Sequence, residues 1–537
     1  MPEPTEDIRV EIEPWGPDQD TVNTVRQALL EHPVLREHLQ GATYRLLGLD
    51  LHDSEATTRK TNELPTPPES YRATVWDYTN SRALLIDGRF DNNQAAEISE
   101  SAGQPLPANE EFEVAVELLR GDREIGAALS SGELQPYRPM PPLVEQELPD
   151  GRSQRIVTVG LAPTGEDGRH EIVGVNLLDG ALHRFEGGAP AGALGPRALC
   201  GFPDANQPTT SRTAGSLRVT VVQGGTVLWT FVVVRPAASS GTRGSGVELR
   251  FLDYRGKRVL YRGHVPILNV SYDQNRCGPF RDWQNQEGAF QANLGVDFAP
   301  GFRMSSPPAQ TILDTGRDAG NFRGVAISVV GQEVVLVSEL EAGWYRYISE
   351  WRLHSDGTIR PRFGFTAVRD PCVCNRHHHH AYWQPDFDIQ TAGNNLVREF
   401  NDPPLAGTSN WHNKSFETRR PRDPGRNRRW RVENKGTGEG YEVFPGPTDG
   451  TAFNSPDWPY PRGDVWLLAY NGSELDDGRN CTTGGPNCAT EADLDRFITG
   501  QGIDGADVVM WYAAHFTHEV GAHAGHIVGP TLRPVNW

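Results

Sequence analysis

Cysteine is scarce in this chain: six in 537 residues, too few for the disulfide scaffold of a small secreted module. Long apolar runs are missing too. The strongest, Thr226 to Val234, is far shorter than the ~18 residues of a membrane-spanning helix, so no membrane partner is expected. Met1 to Asp7 is acidic and carries no apolar stretch of a secretory signal, which predicts a cytoplasmic location. Positive charge is in deficit, with 51 Lys and Arg against 70 Asp and Glu, a formal −19. Nucleic acid is thereby excluded as the main partner, because phosphate binding needs a basic surface. Cationic small molecules remain compatible with that balance.

What is present is enough for a folded protein of several domains. Hydrophobic residues make up 37% and charged ones 23%, so cores can be buried. Residues 1–20 read as a leader. From Thr21 the apolar positions Val22, Val25 and Leu29 recur at helical spacing, and Pro33 divides this helix from a short second one. Extended runs follow at Tyr44–Leu49, Ala73–Tyr78 and Ala83–Phe90. The same order then recurs. Phe112, Val116 and Leu119 share a helical face, a second helical piece precedes Gly132, and extended runs lead to a hairpin turn at Asp179-Gly180. Two helix-then-sheet units in tandem predict two small α+β domains, 21–107 and 108–187. After Gly187, short alternating strands are separated by Gly- and Pro-rich connections, which predicts a large β-sandwich over 188–537. The protein is therefore expected to be mainly β. The basic stretch Arg419 to Arg431, broken by prolines and a glycine, reads as a solvated loop or a subunit contact.

The chemistry-bearing stretch is Arg376-His377-His378-His379-His380, followed by Asp386-Phe387-Asp388. On a strand, residues i and i+2 face the same way, so either His377 with His379 or His378 with His380 can present two imidazoles to one ion. Neutral imidazole suits copper, zinc, iron or nickel. A third ligand must come from elsewhere, and His515-Phe516-Thr517-His518 with His523 and His526 is the supplier. Cys372-Val373-Cys374, just upstream, reads as buried thiols rather than a thiolate metal pair, since zinc sites of Cys and His want wider spacing. Cys481 and Cys488 are spaced to close a short loop.

Four stretches in order resemble the copper-containing, quinone-dependent amine oxidases. They are Phe280-Arg281-Asp282-Trp283, Trp344-Tyr345-Arg346-Tyr347, the histidine run through Ile389, and Asp507-Val508-Val509-Met510-Trp511 through His518. The two tandem units also resemble that family's small cystatin-like N-terminal domains. The resemblance implies His377, His379 and His518 as copper ligands and Tyr345 as the precursor of topaquinone. It implies Asp282 as the catalytic base and Tyr272 as a hydrogen-bonding partner of the cofactor ring. Asp386, Asp388 and Asp507, with backbone oxygens of Phe387 and Val508, resemble a peripheral calcium site, and a hard cation wants such oxygens. The implied reaction is oxidation of a primary amine by O2, releasing aldehyde, ammonia and hydrogen peroxide, and the implied assembly is a homodimer.

One stretch departs from the family. Its signature Thr-x-x-Asn-Tyr-Asp/Glu reads here Glu341-Ala342-Gly343-Trp344-Tyr345-Arg346. Strand alternation expects Trp344 and Arg346 to point away from the face of Tyr345. An indole cannot reproduce the hydrogen bonding of an amide. Two other readings follow: a copper oxidoreductase that leaves Tyr345 unmodified and acts on another substrate, and a non-catalytic metal-binding scaffold.

Overall fold

Beyond Cys200 the described regular structure is almost all strand, some strands buried throughout and others alternating buried with half-buried residues, as in Arg429–Asn434 and Asn395–Phe400. A computed structural model describes residues 7–52, 60, 66–101, 104–139, 143–147, 153–164, 171–184, 200–203, 210–211, 215–240, 246–272, 280–281, 286–293, 295–299, 301–452, 463–475, 494–519 and 525–537. Among them, ten strands form one large sheet and fourteen another. One continuous core joins the two, with Trp229, Leu249 and Leu260 from the first meeting Leu336, Tyr347, Phe363 and Tyr441 from the second. The fold is therefore mainly β, with the expected large sandwich.

Ahead of it stand two smaller sheets. Helices Gln19–Glu31 and Pro33–His38 lie with a four-stranded sheet over a core of Val25, Leu29, Leu35, Val75, Leu84 and Ile86. The first helix is capped by the Asp18 carboxylate, which accepts from Thr21 N at 2.7 Å, and Pro33 opens the second where its missing N–H costs nothing. Helices Asn109–Arg120 and Gly126–Ser131 lie likewise with a five-stranded sheet, burying Ala115, Val116 and Leu119 against Val157, Val159 and Val173. A buried polar node ties these two units together. Glu111 accepts from Arg155 Nε and Nη2 at 2.8 and 2.7 Å and from Tyr78 Oη of the first unit at 2.6 Å.

Three sequence expectations are corrected here. The stretch read as a leader supplies a strand, Ile8–Pro14, which pairs antiparallel with Ser216–Gln223 at the edge of the ten-stranded sheet. Its alternate apolar residues Ile8, Val10 and Ile12 pack on the main core, a pattern too short to stand out before its partner is known. Cys374 is not a free thiol but is bonded to Cys200, and Cys372 is disulfide-bonded as well. Cys481 and Cys488 lie outside the described residues. The arginine stretch is not simply a solvated loop: Arg420 and Arg428 converge on buried Glu399, and Arg429 and Arg431 pair with Glu442. Arg422 is buried and donates to the carbonyls of Asp449 and Gly450.

Two features fix how the sheets face each other near the histidines. The strand His377–Phe387 is buried at every residue, as expected of a central strand covered on both faces. Trp351 of the opposing sheet reaches across to Gly263, where an added Cβ would meet its ring at 2.9 Å, and its Nε1 donates to the Val247 carbonyl at 2.8 Å. Glycine at 263 is thus required by the close approach of an indole rather than by its backbone angles.

Candidate metal centre

The histidine strand His377–Phe387 pairs antiparallel with Val508–His518, and the register settles which imidazoles share a face. His377 lies opposite His518, and His379 opposite Phe516. Directly opposed residues of such a pair project to one side of the sheet. His377, His379 and His518 therefore face the interior of the sandwich together. His378 and His380 face the other way, where His378 Nδ1 meets Thr517 Oγ1 and His380 Nδ1 meets His515 Nδ1, each at 2.9 Å. His515 Nε2–H donates to the Gly463 carbonyl at 3.0 Å, so its Nδ1 accepts from His380. The degenerate run thus separates into an inward pair and an outward pair.

The inward imidazoles are buried, and the ring centroids of His377 lie 5.0 Å from His379 and 4.7 Å from His518. His377 Nδ1–H donates to the Asn375 carbonyl at 2.7 Å, which leaves Nε2 as the lone-pair nitrogen. Tyr347 Oη stands 3.4 Å from His379 Nδ1. His379 Nε2 is buried with no hydrogen-bond partner, the kind of atom that wants a metal or another partner to account for it. Burial, reinforced by the neighbouring imidazoles, pushes the His377 pKa down to about 3 and that of His379 well below the ordinary value. Both rings are consequently neutral at ordinary pH, the form that ligates. Among the described residues, the only potential ligand group already within 4.8 Å on all sides is Asp386, Asp388 and Asp507, so the three imidazoles must adjust their ring torsions to close on one ion. The donor set fits copper or zinc: three nitrogens, one with its Nδ1 held by a backbone carbonyl.

Tyr345 opens the strand Tyr345–His354 in the facing sheet, directly after the turn at Gly343, whose φ of 59° favours glycine. Its side chain is fully buried, with its ring centroid 5.0 Å from His379 and 5.6 Å from His377. Phe365 at 5.2 Å and Tyr347 at 5.6 Å complete an aromatic wall. Arg346 points to the other face, as strand alternation expects, and forms a two-pronged pair with buried Asp318 at 2.7 and 2.9 Å. Its Nη1 also donates to the carbonyls of Gly343 and Tyr345. Trp344 departs from that expectation. It precedes the strand, so alternation does not govern it, and its ring meets Tyr345 edge-on at 5.9 Å. Of Tyr272 the backbone is described, paired opposite His377. Asp282 lies outside the described residues.

The aspartates meet at the far end of the same ribbon, around the ammonium of Lys60. Its Nζ stands 2.5 Å from Asp386, 2.7 Å from Asp388 and 2.7 Å from Asp507. The resemblance implies a calcium ion there, with the backbone of Phe387 and Val508, whereas the structure puts the Lys60 ammonium among the three carboxylates. Burial works to lower the Lys60 pKa, but the three carboxylates outweigh it and raise it. Burial lifts Asp388 and Asp507 above the usual carboxylate range, against the pull of that ammonium.

Another ionisable group lies on Glu333–Ala342, the strand paired beside the tyrosine strand. Glu339 is buried, accepts from Ile312 N at 2.8 Å, and burial pushes its pKa up to about 8. The folded protein therefore keeps a proton that the unfolded chain loses near pH 4.5. Stability from this group is full below that value and drains away as pH rises toward 8. Glu339→Gln is expected to match the parent near pH 4.5 and to exceed it by on the order of a few kcal/mol at pH 8.5. Unfolding midpoints across that range check it, and parallel profiles would refute it.

No family model and no curated protein matches this sequence. Solved structures do. A copper-containing benzylamine oxidase from Hansenula polymorpha superposes with a TM-score of 0.58 at 12% identity, over 100% of this chain and 94% of that one. Lysyl oxidase from Pichia pastoris gives 0.56 at 11%, covering 100% and 91%. An amine oxidase from Aspergillus nidulans gives 0.54 at 13%, covering 100% and 89%. Along its whole length this chain shares its fold with the copper-containing amine oxidases.

Proposed function

We propose that the protein is a copper-dependent oxidoreductase that oxidises a primary amine with O2 and water to an aldehyde, ammonia and hydrogen peroxide. The observation that carries this reading is the convergence of His377, His379 and His518 beside the buried ring of Tyr345. His377, His379 and His518 would hold copper, which with O2 would supply the oxidising chemistry for conversion of the Tyr345 phenol to a quinone, a two-electron acceptor for the amine. The chain's own part is to position and exclude. Asn375 and Tyr347 hold the ligand rings from behind. Phe365, Tyr347 and Trp344 keep water from the Tyr345 ring and fix its tilt. Asp282 is assigned the α-proton, and Tyr272 the cofactor ring, on resemblance. A homodimer follows from the same resemblance.

Trp344 favours a second reading, in which copper activates O2 while Tyr345 stays a phenol. Its indole packs edge-on against the Tyr345 ring and cannot reproduce the hydrogen bonding of an amide. The two are separated by loading the protein with copper in air and weighing the peptide that carries Tyr345. Conversion to topaquinone adds two oxygens and removes two hydrogens, about 30 Da, turns the solution pink and reacts with a hydrazine. An unchanged mass with copper bound rejects the amine oxidase reading and leaves the second or a non-catalytic metal-binding scaffold, which oxidations assayed under air separate. The cytoplasmic location expected from the N-terminal residues competes with an oxidising compartment, which the Cys200–Cys374 disulfide supports.

A further inference from the structure

Lys60 stands in the connection between the strands Tyr44–His52 and Ser70–Asp77 of the four-stranded sheet, yet its ammonium lies more than three hundred residues away in sequence, among the aspartates of the sandwich. The side chain is 4% exposed and passes between the rings of Tyr261 and Tyr470, with Nζ 4.9 and 4.2 Å from their centroids. Three carboxylates within 4.8 Å of one another repel when ionised and lose much of their hydration on burial, and a cation among them offsets both costs. The chain uses lysine sparingly. Of its 51 basic residues only Lys60, Lys257, Lys414 and Lys435 are lysines. An ammonium is compact and has three donors for three acceptors, whereas guanidinium is planar and directs its donors in a fork. In a chain that otherwise chooses arginine, lysine at this position matches the geometry of the cluster.

We infer that Lys60 is the resident cation of Asp386, Asp388 and Asp507, a tethered replacement for a divalent ion, and that it clamps the four-stranded unit onto the end of the ribbon opposite the imidazoles. Asp386 belongs to the histidine strand, and Asp507 immediately precedes the strand that ends at His518. The clamp therefore fastens both strands of the ribbon at once. Deleting the ammonium leaves three oxygens of the kind a hard divalent cation takes, so the same change that loosens the clamp creates a calcium site. None of this depends on copper or on the state of Tyr345.

The test uses the full chain, calcium chloride and EDTA. The parent should melt at the same temperature with EDTA or with about 1 mM calcium. Lys60→Ala should melt lower by about 5 °C or more in EDTA, recover most of that loss in calcium, and bind one calcium by calorimetry. Lys60→Arg should be destabilised without calcium rescue. Stoichiometric, micromolar calcium binding by the parent would overturn the inference, as would a Lys60→Ala protein that neither loses stability nor gains calcium. Should Lys60→Ala not fold, amine-directed labelling of the native parent decides: Lys60 should stay unmodified while Lys257, 44% exposed, reacts. Equal labelling of the two would overturn the inference.

Discussion

Replacing His379 by alanine is expected to lower copper affinity by more than about 100-fold and to abolish turnover, with Tyr345 left at its genetically encoded mass. The argument rests on the register of two strands. His379 faces His377, the partner strand's Phe516 and the Tyr345 ring, and its Nε2 is buried with no other hydrogen-bond partner. The control is one residue away. His378→Asn changes an imidazole held by Thr517 on the reverse face, so copper should stay at one per chain even if the fold is weakened. Metal content after dialysis reads both. Loss of copper from the His378 variant with retention in the His379 variant would show that the other pair of the run holds the metal.

Removing the guanidinium of Arg346 should be the most damaging single change to stability near the site. Arg346 and Asp318 are 3% and 2% exposed, so Arg346→Met strands a carboxylate away from water. Such broken pairs cost about 3–5 kcal/mol, whereas replacing both partners by apolar groups is often nearly neutral. The double variant Arg346→Met, Asp318→Leu should therefore recover most of the loss. Denaturant midpoints of the two variants check this, and equal losses would mean that the damage comes from packing. Arg346 also holds the Gly343 and Tyr345 carbonyls, so a residual defect in the double variant, read as a changed Tyr345 environment, is expected too.

The broad fold was legible because it is written in periodicity. The helix-then-sheet order repeats, and the alternating strands beyond it follow the period of two. The histidine run was legible as two imidazoles for each face of a strand, with nothing local to say which pair turns toward Tyr345. Only the pairing of His377 with His518 decides between them, and pairing across so long a separation leaves no local trace. Lys60 was invisible for the same reason: a lone lysine beside Thr and Asn residues resembles a solvated loop, and nothing nearby announces its aspartates. The arginine stretch misled because its acceptors, Glu399 and Glu442, lie on other strands. Trp344 misled because alternation was applied one residue before the strand begins.

The ribbon that joins His377 to His518 also orders events in time. Thr517, beside His378, lies 139 residues after it, so a growing polypeptide displays two inward imidazoles long before the third is made. An ion caught then would sit in an open, two-coordinate grip with little discrimination among metals. The late strand can add its imidazole only after docking beside the early one in register. On the proposed function, choice of metal would thereby be deferred until synthesis has passed His518 and the sheet has closed, and correct loading would read out completed folding rather than contribute to it.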